Sequence, residues 1–159
     1  MSAEALTVAM EKLLKLHKSL YELAVKKTDI IKTGDMDALN QMLKDEQAHI
    51  AAISRLDKER EKAANSIVPM LESPTVSDCL NLLTQPDLLR LEAITEELAE
   101  LVYELKEQNF LNQQLVHHSL QFVNVSINLL RPQPETMNYG PPAKKNSEKM
   151  NPGIFNSKV

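Results

Sequence analysis

The chain has few glycines, few aromatic residues, a single cysteine and no tryptophan. Three glycines among 159 residues are too few for the loops that cradle phosphate groups, and neither a P-loop nor a dinucleotide-binding fingerprint occurs. Cys79 stands alone, so it cannot form an internal disulfide, and we expect a buried or incidental thiol. Because aromatic residues make up only 4%, the core must be aliphatic.

Long apolar runs are also missing from the sequence. None approaches the roughly 20 residues that a membrane-spanning helix needs, so we expect no membrane insertion. The first ten residues lack a basic segment followed by an apolar stretch, which is the pattern of a secretory signal. Together with the lone cysteine, these features predict a cytoplasmic protein.

The charge is divided unevenly along the chain. Residues 131–159 hold five basic and two acidic side chains, a net charge of +3. Because the whole chain has a net charge of −4, residues 1–130 carry −7. An acidic body argues against nucleic-acid binding, which needs a basic surface. The basic tail is either drawn to an acidic partner surface or merely solvated, and the sequence leaves both open.

Apolar residues at 3-4 spacing predict three long helices, at about 2–32, 36–68 and 86–130. Gly34 and Asp35 are expected to end the first helix and cap the second, folding them into an antiparallel hairpin. Thr75 and Asp78 have the spacing of a helix start, with a short helix expected over 79–83. We therefore predict an all-α fold, an elongated three-helix antiparallel bundle or coiled coil over 1–131.

An apolar seam is predicted on each long helix, and on the third helix a second apolar row adjoins the seam in part: Leu91, Ile94, Val102, Val116, Val123 and Val125. The first seam is Leu13, Leu16, Leu20, Leu23, Lys27 and Ile30. The second is Leu39, Met42, Glu46, His49, Ile53, Leu56, Arg60, Ala63 and Ile67. The third runs without a break through Leu98, Leu101, Leu105, Gln108, Asn112, Leu115, Ser119, Phe122, Ser126 and Leu129. Amides on the third seam are interpreted either as a layer that sets the helix register or as hydrogen-bonding groups for a partner.

Proline and glycine distinguish the last 28 residues, 132–159, which we predict to be a flexible basic tail. Its apolar residues, Tyr139, Ile154 and Phe155, favour a short binding motif over packing on the body.

A catalytic or metal site is not indicated, and we expect neither an enzyme nor a cofactor. Glu46 and His49 form one E-x-x-H, but a di-iron bundle needs two such motifs and two further glutamates. His117 and His118 are adjacent and point about 100° apart on a helix, so they cannot share a metal ion.

Three stretches resemble the flagellar type III export chaperone FlgN family. They are the Gly34-Asp35 turn with its flanking helices, the stretch Leu105–Asn124 with its N-x-x-N-x-x-L and S-L-x-F-V-N patterns, and the tail segments around Tyr139-Gly140 and Ile154-Phe155. Asn156, Ser157 and Val159 depart from the family's usual ending. The resemblance spans nearly the whole chain.

The resemblance implies a cytosolic chaperone of hook-associated proteins 1 and 3, the hook–filament junction proteins. It would bind their C-terminal amphipathic helix, prevent premature assembly and deliver them to the cytosolic domain of the flagellar export gate. For the client groove we predict Leu111, Asn112, Leu115, Phe122, Val125 and Leu129, although the same residues would also suit an internal core. For the gate contact we predict Tyr139 and Phe155.

The alternative is a structural coiled-coil protein that self-associates and has no client. A homodimer in the absence of client is compatible with both interpretations, because empty apolar grooves often self-pair.

Overall fold

The computed structural model describes residues 2–131, which hold four helices and no strand. They are α1 (Ser2–Thr33), α2 (Met36–Ile67), α3 (Val76–Leu80) and α4 (Asp87–Leu130). The prediction of an all-α fold is confirmed for this part of the chain, and the three long helices lie within one residue of their predicted bounds. The tail predicted at 132–159 lies outside the described residues, so the division into bundle and tail stays a prediction.

The turn between α1 and α2 is built as the sequence predicts. Gly34 has φ +70°, the left-handed conformation that glycine adopts without a steric cost at a helix C-terminus. Asp35 then caps α2, because its Oδ1 accepts a hydrogen bond from the backbone N–H of Ala38 at 3.0 Å. These two residues reverse the chain and bring α2 back along α1.

The connection between α2 and α4 contains α3, which begins three residues before the predicted short helix and ends at Leu80. A complete capping box fixes the start: Thr75 accepts from the N–H of Asp78, and Asp78 accepts from the N–H of Thr75 at 2.8 Å. The helix therefore begins at Val76, and the predicted bounds of 79–83 are wrong.

Contacts between helices give their relative directions. Lys27 pairs with Glu46, and Ser19 with His49, so α2 runs antiparallel to α1. On α4, Glu97 pairs with Lys18 and Asn112 bonds to Thr28, so α4 runs parallel to α1. α1 packs against both long helices and forms the centre of the bundle.

The central position of α1 explains why its predicted seam is too narrow. A helix between two partners must bury two rows of side chains, and the sequence reading assigned one. Of the predicted positions only Leu13 is fully buried, and the other five are half-buried. The buried residues of α1 that the prediction missed are Leu6, Thr7, Ala9, Met10, Leu14, Ala24 and Thr28. By contrast, all nine positions predicted for α2 are buried or half-buried.

The hydrophobic core lies where α1 begins, α2 ends and α4 begins. Leu6, Met10, Ala64 and Leu91 meet there. α3 closes this end through Cys79, which is fully buried with its Sγ 3.9 Å from the carbonyl of Ala64. Burial raises the pKa of the Cys79 thiol, so this cysteine is an inert core residue, as expected.

Candidate functional site

The burial of α4 changes sharply along its length. Leu91 is fully buried, and the last buried position is Asn112, with 3% of its surface exposed. Beyond it the apolar side chains are open: Phe122 is 74% exposed and Leu129 is 81% exposed. The first half of the helix is therefore a core element, and the second half is a surface without a partner among the described residues.

The exposure follows from the register between α1 and α4. Thr28 lies beside Gln108 and Asn112, so Thr33, the last residue of α1, lies beside roughly residue 117. Residues 119–130, here called the projecting segment, begin beside the tip of the α1–α2 hairpin and extend past it. At 1.5 Å per residue the projecting segment is about 18 Å long.

The projecting segment belongs to a stretch without formal charge. Between Glu107 and Arg131 there is no Asp, Glu, Lys or Arg, although these residues make up 25% of the chain. Seven of the twelve residues of the projecting segment are apolar and exposed: Leu120, Phe122, Val123, Val125, Ile127, Leu129 and Leu130. A contiguous apolar surface of this kind marks a binding site more often than a solvated face.

A cleft of about 680 Å³ lies between α4 and the tip of the α1–α2 hairpin. Its walls are mostly apolar, with Ile30, Ile31 and Leu39 on the hairpin side. On the α4 side it is lined by Leu115, Phe122 and Val123, among others. The cleft therefore continues the apolar surface of the projecting segment into the body of the bundle.

The structure brings the predicted apolar client residues onto one side of α4. At 100° per residue, Leu111, Leu115, Phe122, Val125 and Leu129 fall within a sector of about 80°. Leu115 and Phe122 line the cleft, Leu115 is half-buried, and the other four are exposed. We call these five residues the apolar strip.

Asn112 differs from the apolar strip, because its polar atoms are bonded inside the bundle. Its Nδ2 donates to the carbonyl of Ala24 at 2.8 Å, and its Oδ1 accepts from the Thr28 hydroxyl at 2.6 Å. Gln108 donates to the same hydroxyl oxygen at 2.6 Å. These bonds form the polar layer that one interpretation of the sequence anticipated, and they fix α4 against α1.

A second, smaller groove of about 390 Å³ lies above α1, between α2 and α4. Lys27 and Glu46 line it and pair at 3.0 Å. Glu46 thus accepts from a lysine, while His49 lies 2.8 Å from Ser19 through its Nε2. Within residues 2–131, no group of three His, Cys, Asp or Glu side chains is placed to hold a metal ion.

Further residues of the apolar surface were not among the predicted client residues, although Val123 belongs to the predicted second row of α4 and Leu39 to the predicted seam of α2. On α4 they are Leu120, Val123, Ile127 and Leu130, and on the hairpin tip Ile31 and Leu39 join them. The absence of charge from 108 to 130 was the available signal, since the two predicted rows of α4 leave out Leu120, Ile127 and Leu130. The predicted gate residues Tyr139 and Phe155 lie outside the described residues.

None of the four described helices is both long enough and apolar enough to cross a membrane.

Comparison with known proteins assigns the chain to a family. Residues 1–147 match the family model described as FlgN protein. The chain is also 32% identical over 162 residues to the Bacillus subtilis (strain 168) protein named "Uncharacterized protein YvyG", with both chains covered completely. No solved structure matches the chain. The chain belongs to the FlgN family, and this membership supports a general role as a flagellar export chaperone.

Proposed function

We propose that the apolar strip and the cleft hold the C-terminal amphipathic helix of hook-associated proteins 1 and 3. In this proposal the protein acts in the cytoplasm, keeps these clients from assembling early and delivers them to the flagellar export gate. The general chaperone role follows from the family, and the particular clients and the delivery step are our proposal. The observation that carries it is the exposure of Phe122 and Leu129 on the uncharged stretch 108–130 of α4.

The client helix and the projecting segment should bind each other because each exposes an apolar face when it is alone. An amphipathic client helix aggregates through its apolar face unless that face is covered. The projecting segment exposes an apolar face of its own, and the cleft provides a lateral wall at the hairpin tip. Docking of one helix on such a surface is the helix-in-groove mode of recognition.

The free energy available suits a client that must later be released. Burying a Leu or Phe side chain contributes about 1.5–3 kcal/mol. Three or four such side chains support micromolar or tighter binding once the cost of ordering the partners is subtracted. A complex of this strength holds a client in the cytoplasm and still lets the export gate compete for it.

The proposed client contacts differ in their availability. Leu111, Phe122, Val125 and Leu129 are exposed and need no rearrangement. A client hydrogen bond from Asn112 requires its amide to leave the carbonyl of Ala24. The apolar strip is therefore the centre of the proposal, with Asn112 as a further contact that forms only if the polar layer opens.

The sharpest test uses two phenylalanines of α4. Phe122→Ala should weaken binding of a synthetic client C-terminal helix about tenfold or more in titration calorimetry. Phe110→Ala is the matched control, because Phe110 is also exposed but lies about 120° around the helix from Phe122. Equal affinities of the two folded variants, verified by circular dichroism, would contradict the proposed strip.

For the tail, 132–159, we propose the contact with the cytosolic domain of the export gate, through Tyr139 and Phe155. The proposed working form is thus an elongated three-helix antiparallel bundle over 1–131 that retains the client while a flexible basic tail reaches the gate. Deletion of 138–159 should spare client binding and impair binding to the gate domain. Loss of client binding in that deletion would show that the division of roles is wrong.

A self-associating coiled-coil protein without a client is the second candidate, because the same exposed surface could pair with a second copy. Light scattering separates the two functions. A homodimer that dissociates when a client helix is added fits the chaperone. A dimer that is independent of concentration and has no client affinity favours the structural protein.

A further inference from the structure

We infer that the chain's own tail, 132–159, lies along the apolar strip of α4 when no client is bound, with Tyr139 at the cleft and Lys144 and Lys145 against the carboxylates of α4. The tail is then a competitor for the client surface. This competition rests on the proposed function of the strip, whereas the docking of the tail does not.

The described residues contain a charged continuation of the apolar strip. Glu100, Glu104 and Glu107 fall within the same sector of about 80° of the α4 surface as the strip. All three are exposed, and within residues 2–131 none of them has an ion-pair partner. A ligand that follows the strip toward the start of α4 thus passes from an uncharged apolar surface onto a row of carboxylates.

The tail has the matching order of residues. It follows directly from the end of α4, and the residues nearest to that end include Met137 and Tyr139. The basic residues Lys144, Lys145 and Lys149 come after them. Glu135 precedes Met137, and Glu148 lies between Lys145 and Lys149. A tail that folds back antiparallel to α4 therefore presents Met137 and Tyr139 before the adjacent charges of Lys144 and Lys145, in the order of the surface beneath it.

The reach of the tail fits the distances on α4. Tyr139 is eight residues beyond Arg131, a span of about 26 Å in an extended chain. Leu115 is sixteen residues before Arg131, about 24 Å along the helix. Lys144 reaches about 43 Å, and Glu104 lies about 40 Å back along α4. Both the apolar and the charged contacts are thus available to one extended segment.

Charge and tethering favour the tail over a second copy as the occupant. Residues 132–159 have a net charge of +2 and residues 1–131 a net charge of −6, so docking brings opposite charges together. A second copy adds carboxylates of its own to the same region. The tail is also covalently attached, which gives it a millimolar effective concentration at any dilution of the protein.

Paramagnetic relaxation measured on the full chain tests the docking directly. Cys79→Ala removes the buried native thiol, and Asn146→Cys places a spin label next to Lys145. At low salt, amide signals of residues 100–107 should fall to below about half of their intensity with the reduced label. They should recover at about 0.5 M salt, where charge interactions are screened.

Charge variants supply the matched control. E100Q/E104Q/E107Q should abolish the broadening, whereas E59Q/E61Q/E72Q, which removes three exposed carboxylates from α2 and the following loop, should preserve it. Absence of local broadening, broadening that high salt leaves unchanged, or broadening that grows with protein concentration would each overturn the inference. The last result would identify a second copy as the occupant.

The regulatory consequence has its own measurement. K144E/K145E/K149E should bind the client helix about threefold more tightly than the unmodified chain, because the competitor is weakened. Equal affinity would show that the docked tail does not compete with the client. Because the relaxation experiment contains no client, failure of the proposed client binding leaves its outcome intact, and the two failures are distinguishable.

Discussion

The two halves of α4 are built on the same spacing of residues but have opposite environments. The seam at Leu91, Leu98 and Leu105 continues in the same heptad register as Asn112, Ser119 and Ser126. In the first half this row packs on α1 and the loop containing α3, and in the second half it passes the end of the hairpin. A regular seam therefore shows where a helix can be buried, and the lengths of its neighbours decide where it is buried.

The comparison also explains the uncharged surface of the second half. Helices that face water on one side normally carry charges there, as α4 does at Glu96, Glu100 and Glu104. From 108 to 130 the polar residues are amides, serines and histidines instead. An apolar surface that goes around most of a helix is typical of a buried helix. The composition of the second half thus corresponds to a surface that becomes covered.

The largest predicted difference is in stability. Leu91→Ala should lower the free energy of unfolding by about 2–5 kcal/mol, because Leu91 is fully buried and its truncation leaves a cavity. Leu129→Ala should change it by less than about 0.5 kcal/mol, because this side chain is exposed. Urea denaturation of both variants measures the difference. Similar losses would mean that the second half of α4 is packed in the free protein.

The polar layer gives the next largest effect. Asn112→Ala should cost about 1–3 kcal/mol, because it removes two buried hydrogen bonds between α4 and α1, one to the carbonyl of Ala24 and one from the hydroxyl of Thr28. Asn109→Ala, three residues earlier and exposed, should stay within about 0.5 kcal/mol. Thermal unfolding of the two variants measures the difference. If Asn112→Ala were as stable as Asn109→Ala, the polar layer would not be what fixes α4 against α1.

The smallest effect concerns the loop that closes the buried end. Thr75→Ala should cost about 1 kcal/mol, because Thr75 caps α3. Hydrogen bonds from the Thr75 hydroxyl and the Thr75 backbone N–H lower the pKa of Asp78 below its ordinary value of 3.8. The stability from this carboxylate is therefore present above pH 3.8 and is lost as the pH falls through the lowered folded value.

Denaturation curves recorded from neutral pH down to acid would check this sign. The loss of stability on acidification should be smaller in Thr75→Ala than in the unmodified chain, because the variant lacks one of the bonds that favour the ionised carboxylate. An identical pH dependence in the two proteins would contradict the assigned cause of the shift.

Much of the fold was predictable because its signals are local. Gly34 and Asp35 fix a turn by their own conformations. The spacing of Thr75 and Asp78 indicates the start of a short helix, although the predicted bounds of that helix were wrong. The second buried row of α1 was only partly predictable: Leu6, Met10 and Leu14 carry an apolar signal that a single seam leaves out, whereas Ala24 is small and Thr28 is polar. Their burial depends on where α4 crosses, which is a property of the tertiary structure.

The site was predictable to a similar degree. Spacing placed Phe122 and Leu129 on one face, but a spacing argument cannot separate core from groove, because both need the same side chains. The separation depends on helix lengths and on the register set by Thr28 and Asn112, two polar residues far apart in sequence. That register is also why Asn112 lies inside the bundle while its apolar neighbours are open.

Hydrogen–deuterium exchange of the full chain, with and without a client C-terminal helix, tests the central claim most directly. Amides of 91–105 should exchange slowly in both states, because this half is already packed. Amides of 119–130 should exchange rapidly in the free protein and at least about tenfold more slowly when the client is saturating. Equally slow exchange of both halves without a client, or no change at 119–130 on client addition, would contradict the account.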